Sequence, residues 1–159
     1  MTKERAQLFD RDIRRLYKEM ESYTSEELIW QKAEGISNAG GNLCLHVMGN
    51  LNEYIGRILG GNPYERDRPL EFSATNIPQK ELLMRIEATR EIIVETLENL
   101  DFEQLNEIYP ENVLGYDMTV SYFLIHLEGH LNYHLGQINY HRRILTSNRA
   151  TAQSGGTDF

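Results

Sequence analysis

Four stretches of this chain repeat apolar residues every three or four positions, and turn-rich stretches separate them. That is the period of a helix face, not of a strand. In the first stretch, about residues 3–22, Phe9, Ile13, Leu16 and Met20 share one side. The second runs from about 42 to 59, with Asn42 as a candidate N-cap and Gly60–Gly61 as a C-terminal stop. The third covers about 78–100, with Leu82, Ile86, Ile93 and Leu97 on one side and Pro78 in its first turn. The fourth covers about 119–145. Four amphipathic helices with little strand signal predict an all-α four-helix bundle.

The connections refine this. Thr24 and Glu27 in "TSEEL" have capping-box spacing, which predicts a short turn of helix there, and "AEGISNAGGN" reads as a loop. "GGNPYERDRPLEFSATNIP" has turn residues and no period. A connection this long permits a crossover between the second and third helices, so simple up-down-up-down order is not assured; long loops are also often functional. Residues 147–159 carry no large apolar side chain before Phe159 and read as a disordered tail after a single domain over 1–146.

Charge narrows the function classes. The formal charge is −8, from 16 Lys and Arg against 24 Asp and Glu, which repels a phosphate backbone. The densest basic run, "HRR" at 141–143, is too small for a nucleic-acid face. No apolar run is long enough to span a bilayer. The start, "MTKERAQLFDRD", has no apolar core of a secretory signal, and one cysteine, Cys44, permits no internal disulfide. A cytoplasmic protein is expected, with no nucleic-acid or membrane partner. Cys44 faces the apolar arc of its helix and reads as a buried structural thiol.

Histidine usage points to a site. Four of the five histidines fall in "HLEGHLNYHLGQINYH", residues 126–141. On a helix with His126 at zero, His130 lies near ~40°, His134 near ~80° and His141 near ~60°. His134 falls inside the apolar arc and His130 at its edge. Imidazoles at i and i+4 can share one metal ion, but two ligands do not complete a site. His46, at the edge of the second helix's apolar arc, is the natural third, since packing of the two apolar faces brings such edges together. Three histidines leave positions open for water or substrate, as in a catalytic metal site. Against this, a lone histidine at a helix edge is commonly just a hydrogen-bonded side chain. His126 and His141 read as supporting, surface or interface residues. Asn50 and Gln137 sit beside the proposed ligands and either orient a ligand or substrate or merely pack. As general bases, Glu53 is a weak candidate and Glu128 falls on the far side. Gly129, Tyr133, Gly136 and Tyr140 share a side away from the core arc, facing either a second subunit, as in a homodimer, or the protein's own loops.

The run "HLNYHLGQI", residues 130–138, with the histidine-bearing "NLCLHVMGNLNEYI", resembles the DinB-like superfamily. That superfamily includes YfiT-like metal-dependent hydrolases and thiol-dependent transferases and isomerases that use bacillithiol or mycothiol. The resemblance implies a four-helix bundle with a long crossover after the second helix. It also implies a divalent metal ion, zinc or nickel first, held by His46, His130 and His134. The family motif often carries a second histidine just before the last ligand; here that place is Tyr133. The reading is a metal-dependent hydrolase or low-molecular-weight-thiol transferase acting on a small molecule, with His126, Asn50 and Gln137 as supporting or substrate residues. The competing class is a helical binding module whose histidines make hydrogen bonds and hold no metal.

Overall fold

The computed structural model describes residues 2–154. Its elements are α1 (Thr2–Glu21), α2 (Glu26–Trp30), α3 (Gly40–Leu51), a π-helical continuation (Asn52–Arg57), α4 (Arg68–Ser73), α5 (Gln79–Asn99), α6 (Phe102–Asn106) and α7 (Val120–Ser154). No strand occurs among the described residues, only an isolated bridge between Ile108 and Thr119. The periodic apolar residues behave as their spacing dictates. Phe9, Ile13, Leu16 and Met20 of α1 meet Leu82, Ile86, Ile93 and Leu97 of α5, and all are essentially inaccessible to solvent. Each such burial stabilises the fold by about 1.5–3 kcal/mol.

The bundle is α1, α5, α3 and α7 in cyclic order. Side-chain contacts give the directions. Arg5 meets Ser121, Asp12 meets Asn132 and Glu19 meets Asn139, so α1 and α7 run parallel. His46 meets His130 while Tyr54 meets Phe123, so α3 and α7 are antiparallel. Asn52 bonds Thr89 and Gly56 abuts Ile92, so α3 and α5 are parallel. The order is therefore up-down-down-up. Two consecutive parallel helices need a connection as long as the bundle, which is the work of the crossover between the π-helical segment and α5.

Every residue of α3 is buried, so it is the central helix. Its N-cap is Ala39, not Asn42. Asn42 lies inside the helix and its amide donates to the carbonyls of Glu71 (3.1 Å) and Ala74 (2.9 Å), tying the crossover to the core. The capping box expected at Thr24 does not form; the N-cap of α2 is Ser25, without a side-chain cap bond. A complete box forms instead at Asp101 and Gln104. The crossover carries a short helix, α4, begun by Asp67, whose carboxylate accepts from the Leu70 amide at 3.0 Å. The backbone of α7 stays helical through Ser154, past the end expected near residue 145. Residues 147–154 contain helix-tolerant Arg, Ala and Gln and no Gly or Pro. The rest of the expected tail, 155–159, lies outside the described residues. No helix among those described is long and apolar enough to cross a membrane.

Candidate metal centre

Antiparallel packing of α3 on α7 places His46 against the i, i+4 pair His130 and His134. The Nε2 atom of His130 lies 3.3 Å from Nε2 of His46 and 3.1 Å from Nε2 of His134. One ligand atom from each ring lies within 4.8 Å of the others.

The opposite nitrogens fix which atoms face this point. Glu71 Oε2 stands 2.8 Å from His46 Nδ1. Glu71's carboxyl is held below its ordinary range by the His46 and Arg66 contacts, although burial, the largest influence, pushes the other way. A carboxylate only accepts, so His46 Nδ1 carries a proton, and in the neutral tautomer this leaves the lone pair on Nε2. Gln137 Oε1 accepts the Nδ1–H of His134 at 2.7 Å, and burial pushes that ring's pKa down, which leaves its Nε2 as a lone pair. Burial, then the neighbouring His134 and His46, pushes His130 down to about 4, so it too is neutral near pH 7. At most one proton sits on its Nε2, and one proton cannot bridge two lone pairs on different rings. With the His46 ring in its neutral tautomer, three nitrogens with at most one hydrogen among them are a donor set for a cation. Nitrogens 2.0–2.1 Å from a tetrahedral ion stand about 3.3 Å apart, close to the separations observed.

A second layer, invisible to spacing arguments, holds the first. Arg66 grips Glu71 with Nε to Oε1 at 2.7 Å and Nη2 to Oε2 at 3.0 Å. The Arg66 guanidinium in turn lies 5.6 Å from the Tyr54 ring centre, on the π-helical segment. Glu71 rests directly on Gly49, where a Cβ would come within 2.0 Å of its Oε1. The carboxylate therefore reaches His46 only because position 49 has no side chain. Asp67 followed by Pro69 is a helix-start signature, and it was the available signal that the crossover carries a helix; nothing in the sequence paired Glu71 with His46.

The remaining candidates separate. Asn50, one turn beyond His46, is 8% exposed, and its Oδ1 accepts from no protein donor. His126 is exposed, stacked on Phe123 and 6.5 Å from the His130 ring, so it borders the cluster without joining it. His141 is neither surface nor supporting: it is 1% exposed in a pocket of its own, bonded to Tyr23 and Gln31. Burial pushes the Cys44 thiol up to about 12, which leaves it inert. Glu53 is paired with Arg57, and Glu128 faces α1. On the open side of the cluster stand Phe72, its ring 4.9 Å from that of His46, and Tyr133, 5.2 Å from the ring of His134; both are exposed.

The sequence profile of the DinB superfamily matches residues 8–138. The chain belongs to the DinB superfamily. Among solved structures, a conserved protein from Enterococcus faecalis superposes with a TM-score of 0.75 at 17% identity, covering 92% of this chain and 98% of that one. A DinB-like protein from Bacillus cereus gives 0.67 at 20% identity, covering 85% and 86%. At such identities the likeness is one of fold. No curated protein matches the chain. DinB proteins are typically metal-binding, and the three-histidine group is where this chain has the means.

Proposed function

We propose that this DinB protein is a metal-dependent enzyme, a hydrolase or a low-molecular-weight-thiol transferase, with a divalent ion on His46, His130 and His134. One observation carries the reading: three Nε2 atoms converge while the Nδ1 protons of His46 and His134 are held by Glu71 and Gln137. Neutral imidazoles suit zinc or nickel. Such an ion supplies Lewis acidity, lowering the pKa of a water or small thiol so that a nucleophile exists near neutral pH.

The chain does the rest. Glu71 and Gln137 fix ring orientation and raise the basicity of their histidines, and Arg66 keeps Glu71 ionised and in place. Asn50, one turn beyond His46 with a buried Oδ1 that has no partner among the described residues, is the side chain we assign to accept from an O–H or N–H of the substrate. The substrate approaches past Phe72 and Tyr133 and is a small molecule, with a thiol among its reactants in the transferase case. A buried Cys44 without a disulfide partner suits a reducing, cytoplasmic setting.

The test begins with metal. Purified without a polyhistidine tag, the protein is expected to carry about one equivalent by elemental analysis, lost in His134→Ala. The metal-loaded protein is then screened for thiol conjugation, with ester and amide hydrolysis alongside, and any rate must vanish in all three ligand variants. No metal after incubation with zinc, nickel and manganese would assign the cluster to a hydrogen-bonded interaction module instead.

A further inference from the structure

Away from the core, α7 presents a second face, uncharged along its whole length. It begins at Tyr122 and ends at Ile144, with Tyr133 midway. Between these stand Ile125 and Tyr140, then Gly129 and Gly136. The steps along the chain are three, four, four, then three, four, four. This eleven-residue repeat keeps the stripe straight along a helix for about 33 Å. Every position in it is exposed, with Ile125 at 61%, Tyr133 at 64% and Tyr140 at 69%. Other helices do not behave this way: the outward face of α5 carries Glu81, Arg85, Glu91, Glu95 and Glu98.

The glycines have no use inside one molecule. A Cβ at Gly129 or Gly136 would meet nothing within 4 Å. Glycine in a helix interior is destabilising relative to alanine, so both positions weaken an isolated chain for no packing return.

We infer that a second copy of this chain covers the stripe, α7 lying antiparallel on α7 about a two-fold axis at Tyr133. The stripe is self-complementary in that sense alone. Laid antiparallel, Tyr122 faces Ile144, Ile125 faces Tyr140, Gly129 faces Gly136 to within one residue, and Tyr133 faces itself. An isologous contact demands this reciprocity. The two glycine pairs beside Tyr133 let the helix axes approach and leave hollows that the tyrosine rings fill. The area suffices: at roughly 200 Å² per large side chain, the exposed fractions give about 550 Å² of stripe. A standard interface removes about 800 Å² per partner, about 65% of it apolar in homodimers. Because the Tyr133 ring lies 5.2 Å from that of His134, the second copy borders the three-histidine cluster and closes part of its open side.

The experiment needs no metal and no substrate. Sedimentation of the full chain is expected to give twice the monomer mass of 18.5 kDa. Gly129→Arg, at an exposed position where a Cβ meets nothing within 4 Å in the monomer, is expected to give 18.5 kDa with an unchanged helical spectrum. Oxidised glutathione is expected to link Tyr133→Cys to itself, two thiols losing two protons and two electrons to the oxidant. Met84→Cys, equally exposed on α5, stays unlinked. A monomer at micromolar concentration, or a dimer that survives Gly129→Arg, overturns the proposal. So does a rise in melting temperature at unchanged mass in the Gly129→Ala, Gly136→Ala double variant, the response of an isolated helix.

Discussion

His134 and His141 lie two turns apart on the same side of α7, and the fold uses them in opposite ways. The two nitrogens of His141 are both satisfied within the chain. Nε2–H donates to the Gln31 carbonyl at 2.8 Å, and Nδ1 accepts from the Tyr23 hydroxyl at 2.7 Å. Only one nitrogen of His134 is tied to a fixed acceptor, Gln137; the other faces two more imidazoles. Each region also leans on a glycine of α3. A Cβ at Gly40 would fall 2.0 Å from the Tyr23 hydroxyl, as one at Gly49 would fall 2.0 Å from Glu71 Oε1. The construction is shared and the difference is one unspent lone pair. A ligand histidine is marked by that nitrogen and its neighbours, not by its place on the helix.

The comparison breaks hardest at its two centres. His134→Ala is expected to abolish stoichiometric metal, at about 3–4 kcal/mol of binding free energy per ligand, while leaving the far pocket intact. Isothermal titration of the apo protein with zinc measures it. His141→Leu is expected to do the reverse. It leaves the Tyr23 hydroxyl and the Gln31 carbonyl unpaired, costing about 2–3 kcal/mol of folding stability by urea titration. Zinc affinity stays within about threefold of the parent, since no ligand or ligand partner has moved. Equal losses of metal in both variants would show the two regions to be one cooperative unit.

How much of this contrast could be read from the sequence follows from its physics. The apolar period of Phe9 to Met20 and of Leu82 to Leu97 specifies buried faces directly, so the bundle was legible. The length of the crossover showed only that up-down-up-down order was not assured; the up-down-down-up order itself rests on contacts between helices distant in sequence. The i, i+4 pair and the edge position of His46 were enough to nominate three rings. The fate of His141 was not legible, because its partners come from Tyr23 and Gln31, more than a hundred residues away. Glu71 and Arg66 were missed for the same reason: a segment without hydrophobic period gives no register, and nothing local says that Glu71 turns towards α3.

The glycines offer a finer cut. Gly49→Ala is expected to push Glu71 off His46 and weaken zinc about 10–100-fold, the usual effect of losing a carboxylate behind a ligand histidine. Gly40→Ala is expected to displace Tyr23 from His141, costing about 1–2 kcal/mol of stability and sparing zinc. Glu71→Gln separates strain from chemistry: the amide fits the same space, so a loss of zinc affinity matching that of Gly49→Ala assigns the effect to the carboxylate. A fall in stability without loss of zinc in Gly49→Ala would contradict the carboxylate's role.

The smallest expected effect is that of protons on the apo protein, and its sign can be worked out. Burial holds His130, His134 and His141 below the ordinary histidine range, His130 at about 4. In the unfolded chain each takes a proton as pH falls through about 6.5. Between that pH and the lower folded values the unfolded state binds more protons, so stability is complete above about 6.5 and declines as pH falls towards 4. Burial pushes Asp12 and Glu71 up, but the contacts of Asp12 with Arg11 and Asn132 and of Glu71 with His46 and Arg66 hold both low, and they add a further loss at still lower pH. Urea midpoints of the apo protein at pH 8, 6 and 5 are expected to fall in that order. His141→Leu should start lower and fall less steeply, because one of the three buried imidazoles is gone. Zinc should flatten the parent's decline while it stays bound and leave the far pocket's share untouched. Identical pH slopes for the parent and His141→Leu would mean that the far pocket does not resist protonation, and the contrast between the two histidines would then lie in geometry alone.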